Sequence, residues 1–311
     1  RFSFLELICE KSVKIREGSP AIHQAQSLGS QIKDLLALAK PRLSVFVILT
    51  AVGGISFAPG SHPPLKSLIA ILMTALIVGG ANALNCFFER DKDGQMRRTM
   101  TRPFPSGRLP LGWPMVFWLV VVLIALPVLA WASNLLTAGL GLGALVTYAF
   151  IYTPLKYKTP QALYVGAIPG AAPPLMGWTT VTNSIDLGGL ALFAVLFFWQ
   201  LPHFLAISLY LKEDYGRAGM KLNSIVYGER RTRIGIVVTS VLLIPATLSL
   251  VPLGLANMFY GACALVLGAA MVLYALKGLR PGAGNKWARS MLLATLIYIP
   301  LLFGAMVAGA V

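Results

Sequence analysis

The sequence predicts an all-α polytopic membrane protein, a bundle of nine transmembrane helices. Three observations carry that prediction. Of 311 residues, 57% are hydrophobic and 12% charged, whereas a soluble domain is about half apolar and about a quarter charged. Several apolar runs reach about 20 residues, the length that crosses a bilayer. Those runs neither alternate apolar with polar nor stop at the roughly 10 residues of a barrel strand. Helices, which satisfy their own backbone groups in lipid, are the remaining solution.

Residues 1–40 read as an N-terminal arm and residues 41–311 as a single transmembrane domain. The arm opens on a short apolar stretch, followed by alternating charges and no cleavage site, so it does not read as a secretory signal. Spans are predicted near 43–58, 67–88, 112–131, 135–153, 161–181, 188–210, 234–253, 257–276 and 289–310, each ending at a charge cluster or a Pro/Gly break. Small residues recur in them (Gly139, Gly141 and Gly143; Gly268, Ala269 and Ala270), as suits close helix contacts. Cys9, Cys86 and Cys263 are far apart and form no CxxC pair, which argues against a disulfide framework or a zinc site.

The formal charge is +15. Every Lys and Arg except Lys66 falls in the N-terminal stretch through Arg42 or in a loop after an even-numbered span. The positive-inside rule then places the N-terminus and those loops in the cytoplasm and the C-terminus opposite. Basic residues so placed point to a membrane surface and to phosphate rather than to nucleic acid.

Carboxylates on a basic face need a reason. Glu6, Glu10, Glu17 and Asp34 belong to the arm, and Asp186 is alone on the outer side. Glu89, Asp91 and Asp93 follow span two; Glu213, Asp214 and Glu229 follow span six. Asn85, Glu89 and Asp93 are spaced i, i+4, i+8 and so share one helical face, with Asn82 below them. Hard oxygen ligands of this kind suit Mg²⁺, which binds through one or two carboxylates plus substrate phosphates. Arg97, Arg98, Arg102 and Arg108 follow, and guanidinium forks match phosphate oxygens. The competing reading is a salt-bridged loop end.

After span six, His203, Tyr210 and Asp214 return to nearly one helical direction, with His203 about three turns deeper. A histidine in lipid faces the bundle interior, either as a hydrogen-bonded packing residue or in contact with a cofactor-like substrate. Tyr152 and Lys156 close span four, where Lys156 is either a snorkelling anchor or a charge for phosphate. Apart from His203 the span centres lack ionisable groups, unlike the midplane sites of secondary transporters.

Together Asn85-x3-Glu89-x-Asp91-x-Asp93, Arg98-Thr-x-x-Arg102-Pro103, Tyr152-x3-Lys156 and Lys212-x-Asp214-Tyr215-x-x-Ala218-Gly219 resemble the UbiA-type intramembrane prenyltransferases, over about residues 38–235. Within that family the resemblance is to the haem-modifying branch. It departs at Glu89, where Asp is common, at Ala218, which is not a second carboxylate, and at Met220–Asn223, where Pro-Met-Leu-Pro is usual.

The resemblance implies transfer of farnesyl from farnesyl diphosphate to a vinyl group of haem b with addition of water, giving haem O. It implies two Mg²⁺ ions held with the diphosphate by Asn85, Glu89, Asp93 and Asp214, the catalytic set together with Lys156. Arg98 and Arg102 would bind diphosphate, and His203 would face haem; Tyr152, Tyr210, Lys212 and Tyr215 complete the substrate-binding set. Expected partners are the two substrates, membrane lipid, and a haem A synthase or oxidase assembly factors, in a bacterial inner membrane. A quinone-precursor or chlorin acceptor, and a transporter, are the alternatives.

Overall fold

The computed structural model describes residues 27–309; Cys9, Glu6, Glu10, Glu17 and the rest of the first 26 residues lie outside the described residues, as do Ala310 and Val311. Among the described residues, those up to Lys33 fall in one unit and those from Asp34 on in another. No strand occurs among the described residues. The elements are α1 (Leu28–Leu38), α2 (Pro41–Phe57), α3 (Pro64–Asp93), α4 (Trp113–Ala132), α5 (Leu135–Val146), α6 (Ala162–Thr182), α7 (Leu187–Tyr210), the short α8 (Lys212–Arg217) and α9 (Asn223–Val226), then α10 (Glu229–Leu248), α11 (Met258–Lys277) and α12 (Asn285–Ala308). α5 runs on through a π-helical turn, Thr147–Tyr152, and a last short piece, Thr153–Leu155.

Local chemistry sets the ends. Pro41, Pro64 and Pro114 occupy first turns, where a missing N–H costs nothing. Asn134, Asp186 and Asn257 cap α5, α7 and α11 by accepting backbone N–H bonds, as short polar side chains do at N-caps. α10 begins five residues before the predicted span, because Glu229, Arg230, Arg231 and Arg233 form its first turns; apolar onset is not helix onset.

Seven helices among the described residues are long and apolar enough to cross a membrane, against the nine predicted. α2 has only 17 residues. α6 has 21, but Pro169, Pro173, Pro174 and several Gly and Thr lower its hydropathy. The physical reason is its neighbours: most of α6 is buried against α2, α5 and α7, so protein rather than lipid solvates it. Elsewhere the outer faces stay apolar. Leu65, Leu68, Leu72 and Leu76 on α3, and Val116, Leu119, Val120, Leu123 and Ile124 on α4, are exposed. Apolar surface on that scale does not face water in a monomer, and the chain is an integral membrane protein.

Two of the expected glycines make close contacts: a Cβ on Gly141 would lie 3.0 Å from Met176 Cε and one on Gly268 2.7 Å from Ile244 Cγ1. Gly139 and Gly143 face open space. α2 and α6 meet backbone to backbone at Gly54 and Gly177: a Cβ on either would lie 2.1 Å from the Pro174 or Ala51 carbonyl oxygen respectively. One buried cluster joins α3, α4, α5 and α6, and a larger one joins α6, α7, α10, α11 and α12.

Candidate active site

α3 builds the site. Its 30 residues run about 45 Å at 1.5 Å per residue, longer than a hydrocarbon core of about 30 Å. Its final turns therefore reach the interface while still helical. Asn85, Glu89 and Asp93 share one face there and are 2%, 3% and 1% exposed. Asp91, off that face, has a side chain 81% exposed and pairs with Arg90.

A basic group answers each of the three. Lys156 forms an ion pair with Glu89 Oε1, and the Tyr157 hydroxyl donates to the same oxygen at 3.3 Å. Arg102 Nη1 donates to Asp93 Oδ2 at 2.7 Å, while Asp93 Oδ1 is buried without a hydrogen-bond partner. Lys40 Nζ donates to Asn85 Oδ1 at 2.8 Å. Burial first, then Glu89 and Asp93, raise the pKa of the Tyr157 phenol, so it stays a neutral donor.

The orientation of Asn85 follows from its neighbours. The Thr153 N–H bonds to the Tyr148 carbonyl, the i−5 pattern of a π-turn, a feature frequent at functional sites. The Thr153 hydroxyl donates to the same carbonyl at 2.8 Å, which uses its one proton. It can only accept from Asn85, whose Nδ2 donates to it at 3.0 Å. Oδ1 is thereby turned to the Lys40 ammonium, itself donor-only. The same turn brings the Tyr148 and Tyr152 rings to 5.6 Å, and the Tyr148 hydroxyl donates to Asn82 Oδ1 at 3.3 Å.

The second acidic loop lies beside the first. Met96, Ala218 and Met220 are buried together, with Tyr157, Tyr215 and Leu222 packed on them, and Lys221 N–H donates to the Lys156 carbonyl at 2.8 Å. Asp214 pairs with Arg217 and accepts the Arg97 N–H at 3.4 Å. The Arg98 guanidinium lies over the Tyr215 ring, 5.9 Å from its centroid.

Below these groups a cavity of about 470 Å³ opens between α2, α3, α5, α6 and α7. Asn82, Tyr148 and Tyr152 line it near the acidic groups; Phe46, Trp199, Gln200 and His203 also line it, and most of the rest is apolar.

Several expectations are corrected. α7 ends at Tyr210 and the chain turns at Leu211 (φ −107°, ψ 23°) before α8, so His203, Tyr210 and Asp214 are not one continuous helical face. Tyr210 packs against the large core and does not line the cavity. Lys212 lies at the surface with Glu229, at 3.1 Å. Arg108 is held by both oxygens of Asp34 at 3.0–3.2 Å and clasps the arginine loop instead of facing the site. Conversely, Lys40, Tyr148, Thr153 and Tyr157 belong to the site and were not singled out. Lys40 adopts a left-handed φ of +52° just before Pro41, and no sequence signal points to it.

The donor set fits a hard divalent cation. The unpartnered, buried Asp93 Oδ1 beside Asn85 and Glu89 offers oxygen ligands alone. No cluster of three or more acidic, His or Cys residues forms among the described residues, so a Mg²⁺ ion there would take part of its shell from substrate phosphates.

The chain is similar to known proteins. The UbiA prenyltransferase family matches residues 46–299. A protein of Anaeromyxobacter sp. called protoheme IX farnesyltransferase is 53% identical over 278 residues, covering 89% of this chain and 94% of that one. Another of that name from Myxococcus xanthus is 45% identical over 283 residues, covering 91% and 96%. In fold, the chain is similar to a digeranylgeranylglyceryl phosphate synthase (TM-score 0.76, 16% identity, 90% and 98% covered). It is also similar to a UbiA homolog from Archaeoglobus fulgidus bound to GPP and Mg²⁺ (TM-score 0.64, 16% identity, 88% and 99% covered). A family pattern matched over most of the chain, with relatives this similar along nearly its whole length, means that the chain belongs to the UbiA prenyltransferase family.

Proposed function

We propose that this chain transfers the farnesyl group of farnesyl diphosphate to a vinyl group of haem b, with addition of water, giving haem O and diphosphate. The observation that carries this reading is the similarity, at 45–53% identity along nearly the whole chain, to proteins called protoheme IX farnesyltransferase. The domain is residues 41–311, with residues 1–40 as its arm. All nine long helices span the bilayer, α2 and α6 included, and the acidic loops and the N-terminus are cytoplasmic, as the distribution of basic residues supports.

The allylic C–O bond breaks, diphosphate leaves, the allylic carbon bonds to the vinyl terminus, and water takes the cation left beside the porphyrin, releasing a proton. Two Mg²⁺ ions, held by Asn85, Glu89, Asp93 and Asp214 together with the diphosphate, would supply charge stabilisation for the leaving group. Lys156, Arg98 and Arg102 bind diphosphate oxygens as donors aimed at developing charge. Lys156 and Arg102 neutralise Glu89 and Asp93 in the free protein and exchange those partners for phosphate oxygens. Tyr152 and Tyr148 turn aromatic faces and a hydroxyl into the chamber, where a ring face attracts a cation. The apolar lining excludes water from the allylic cation until the acceptor has reacted.

The test is incubation of detergent-purified protein with haem b, farnesyl diphosphate and Mg²⁺, followed by mass spectrometry of extracted haem. A hydroxyethylfarnesyl haem that disappears with EDTA is expected. Unmodified haem beside a prenylated phenolic quinone precursor would overturn the acceptor and leave the diphosphate site standing.

The Asn85 geometry yields a second expected result. Thr153→Val keeps the shape but removes the group that orients Asn85, so the Mg²⁺ concentration for half-maximal activity rises about ten- to a hundredfold, the usual cost of losing an orienting partner. Thr153→Ser retains the wild-type requirement. Equal Mg²⁺ titrations for Val and Ser variants would refute the orienting role.

A further inference from the structure

The cavity wall holds a side chain that the mechanism above does not use. His203 lines the cavity, and its Nδ1 lies 2.8 Å from Thr295 Oγ1. Thr295 Oγ1 is in turn 2.6 Å from the Leu292 carbonyl oxygen, a pure acceptor, so the single hydroxyl proton is committed there. His203 Nδ1 must therefore be the donor to Thr295. In a neutral imidazole one nitrogen donates and the other accepts, which leaves the lone pair on Nε2. That nitrogen has no hydrogen-bond partner among the described residues, and no carboxylate lines the cavity to favour an imidazolium.

The ring is also clamped in plane. Trp199 stacks on it at 5.2 Å and 22° and donates Nε1–H to the Thr295 carbonyl at 2.7 Å; Phe46 stacks on Trp199 at 5.8 Å. Thr295 thus fixes His203 twice, directly through its hydroxyl and through Trp199. A histidine whose second nitrogen donates to a fixed oxygen, leaving a directed lone pair, is how proteins prepare imidazole for a metal.

We propose that His203 Nε2 is an axial ligand to the iron of the haem acceptor, with Thr295 as the residue that positions it. This rests on the haem reading above and deepens it. Donation of the Nε2 lone pair to iron holds the macrocycle by its centre. Asn82, Tyr148 and Tyr152 line the same cavity and adjoin the diphosphate groups, so a vinyl-bearing rim is presented to the allylic carbon. Iron ligation thereby selects a metallated porphyrin over a flat phenolic acceptor of similar polarity.

The test titrates ferric haem b into the detergent-purified full chain without farnesyl diphosphate, followed by absorption and electron paramagnetic resonance spectra. The wild type is expected to give a nitrogen-ligated ferric spectrum, which His203→Ala loses and added imidazole restores in that variant. Thr295→Val weakens haem binding about ten- to a hundredfold, and Thr295→Ser does not. An unchanged melting temperature in detergent shows that the Ala variant is folded. Identical spectra for wild type and His203→Ala, in protein that still makes haem product, overturn the ligation and leave the acceptor reading standing. Neither binding nor turnover of haem by the wild type overturns the acceptor reading and the ligation with it.

Discussion

Asp93→Asn lowers the rate of prenyl transfer about a thousandfold, or about 4 kcal/mol of transition-state stabilisation. Asp93 is 1% exposed; one oxygen holds Arg102 at 2.7 Å and the other has no partner. Burying a carboxylate with one oxygen unpartnered is costly, and Arg102 answers only the other oxygen; a divalent cation held as proposed above would satisfy the unpartnered one. Asparagine keeps the shape and a carbonyl for Arg102 but removes the charge, so the loss falls on chemistry rather than on folding. Alanine is the poorer probe, because it leaves the partly exposed Arg102 guanidinium without its carboxylate. Asp91→Ala is the control, since Asp91 is exposed and pairs only with its neighbour among the described ion pairs; its activity stays within a few-fold of wild type. Initial rates with haem product as readout, alongside melting temperatures in detergent, make the comparison. If Asp93→Asn and Asp91→Ala behave alike, the acidic face of α3 is structural.

That contrast between Asp93 and Asp91 was legible in the sequence. On a helix, residues four apart share a face and residues two apart do not, so Asn85, Glu89 and Asp93 were separable from Asp91 by spacing alone. The helices were legible for the same kind of reason, because length and hydropathy respond to lipid. Legibility failed wherever a second element decides the outcome. Lys40 and Thr153 meet Asn85 across sequence separations that no periodicity spans. The π-turn before Thr153 adds a residue to one turn of helix, which displaces every register argument past it, and the break at Leu211 does the same between His203 and Asp214. Arg108 reads like its neighbours Arg98 and Arg102 until Asp34, on another helix, claims it. α6 escapes a hydropathy threshold because its solvent is protein.

The α2–α6 contact is where such tertiary information concentrates, and it gives the largest expected effect on stability. Gly177→Ala places a methyl 2.1 Å from the Ala51 carbonyl oxygen, and Gly54→Ala places one 2.1 Å from the Pro174 carbonyl oxygen. Neither obstacle is the end of a flexible side chain; both are backbone, so the helices must move apart. Overpacking a core costs about 1–3 kcal/mol, and a clash with backbone belongs at the upper end. Separation also strips dispersion contacts along the whole seam, because a gap of about an ångström forfeits up to half of each contact. Each single variant is expected to lose about 3 kcal/mol and to melt several degrees lower in detergent. Because both methyls open one interface, the double variant should cost little more than either single one, whereas independent sites would add. Gly143→Ala, in open space on α5, runs the other way and stabilises by about 0.5–1 kcal/mol through helix propensity. The consequence for function follows from what the two helices carry. Lys40 is the residue preceding α2, and α6 walls the cavity through Gly166, Pro169 and Gly170. Opening the seam pulls the Lys40 ammonium off Asn85 and admits water to the chamber, so kcat falls below what the lost stability alone would give. Additive losses in the double variant, or full kcat in folded single variants, would show that the contact holds the fold without holding the site.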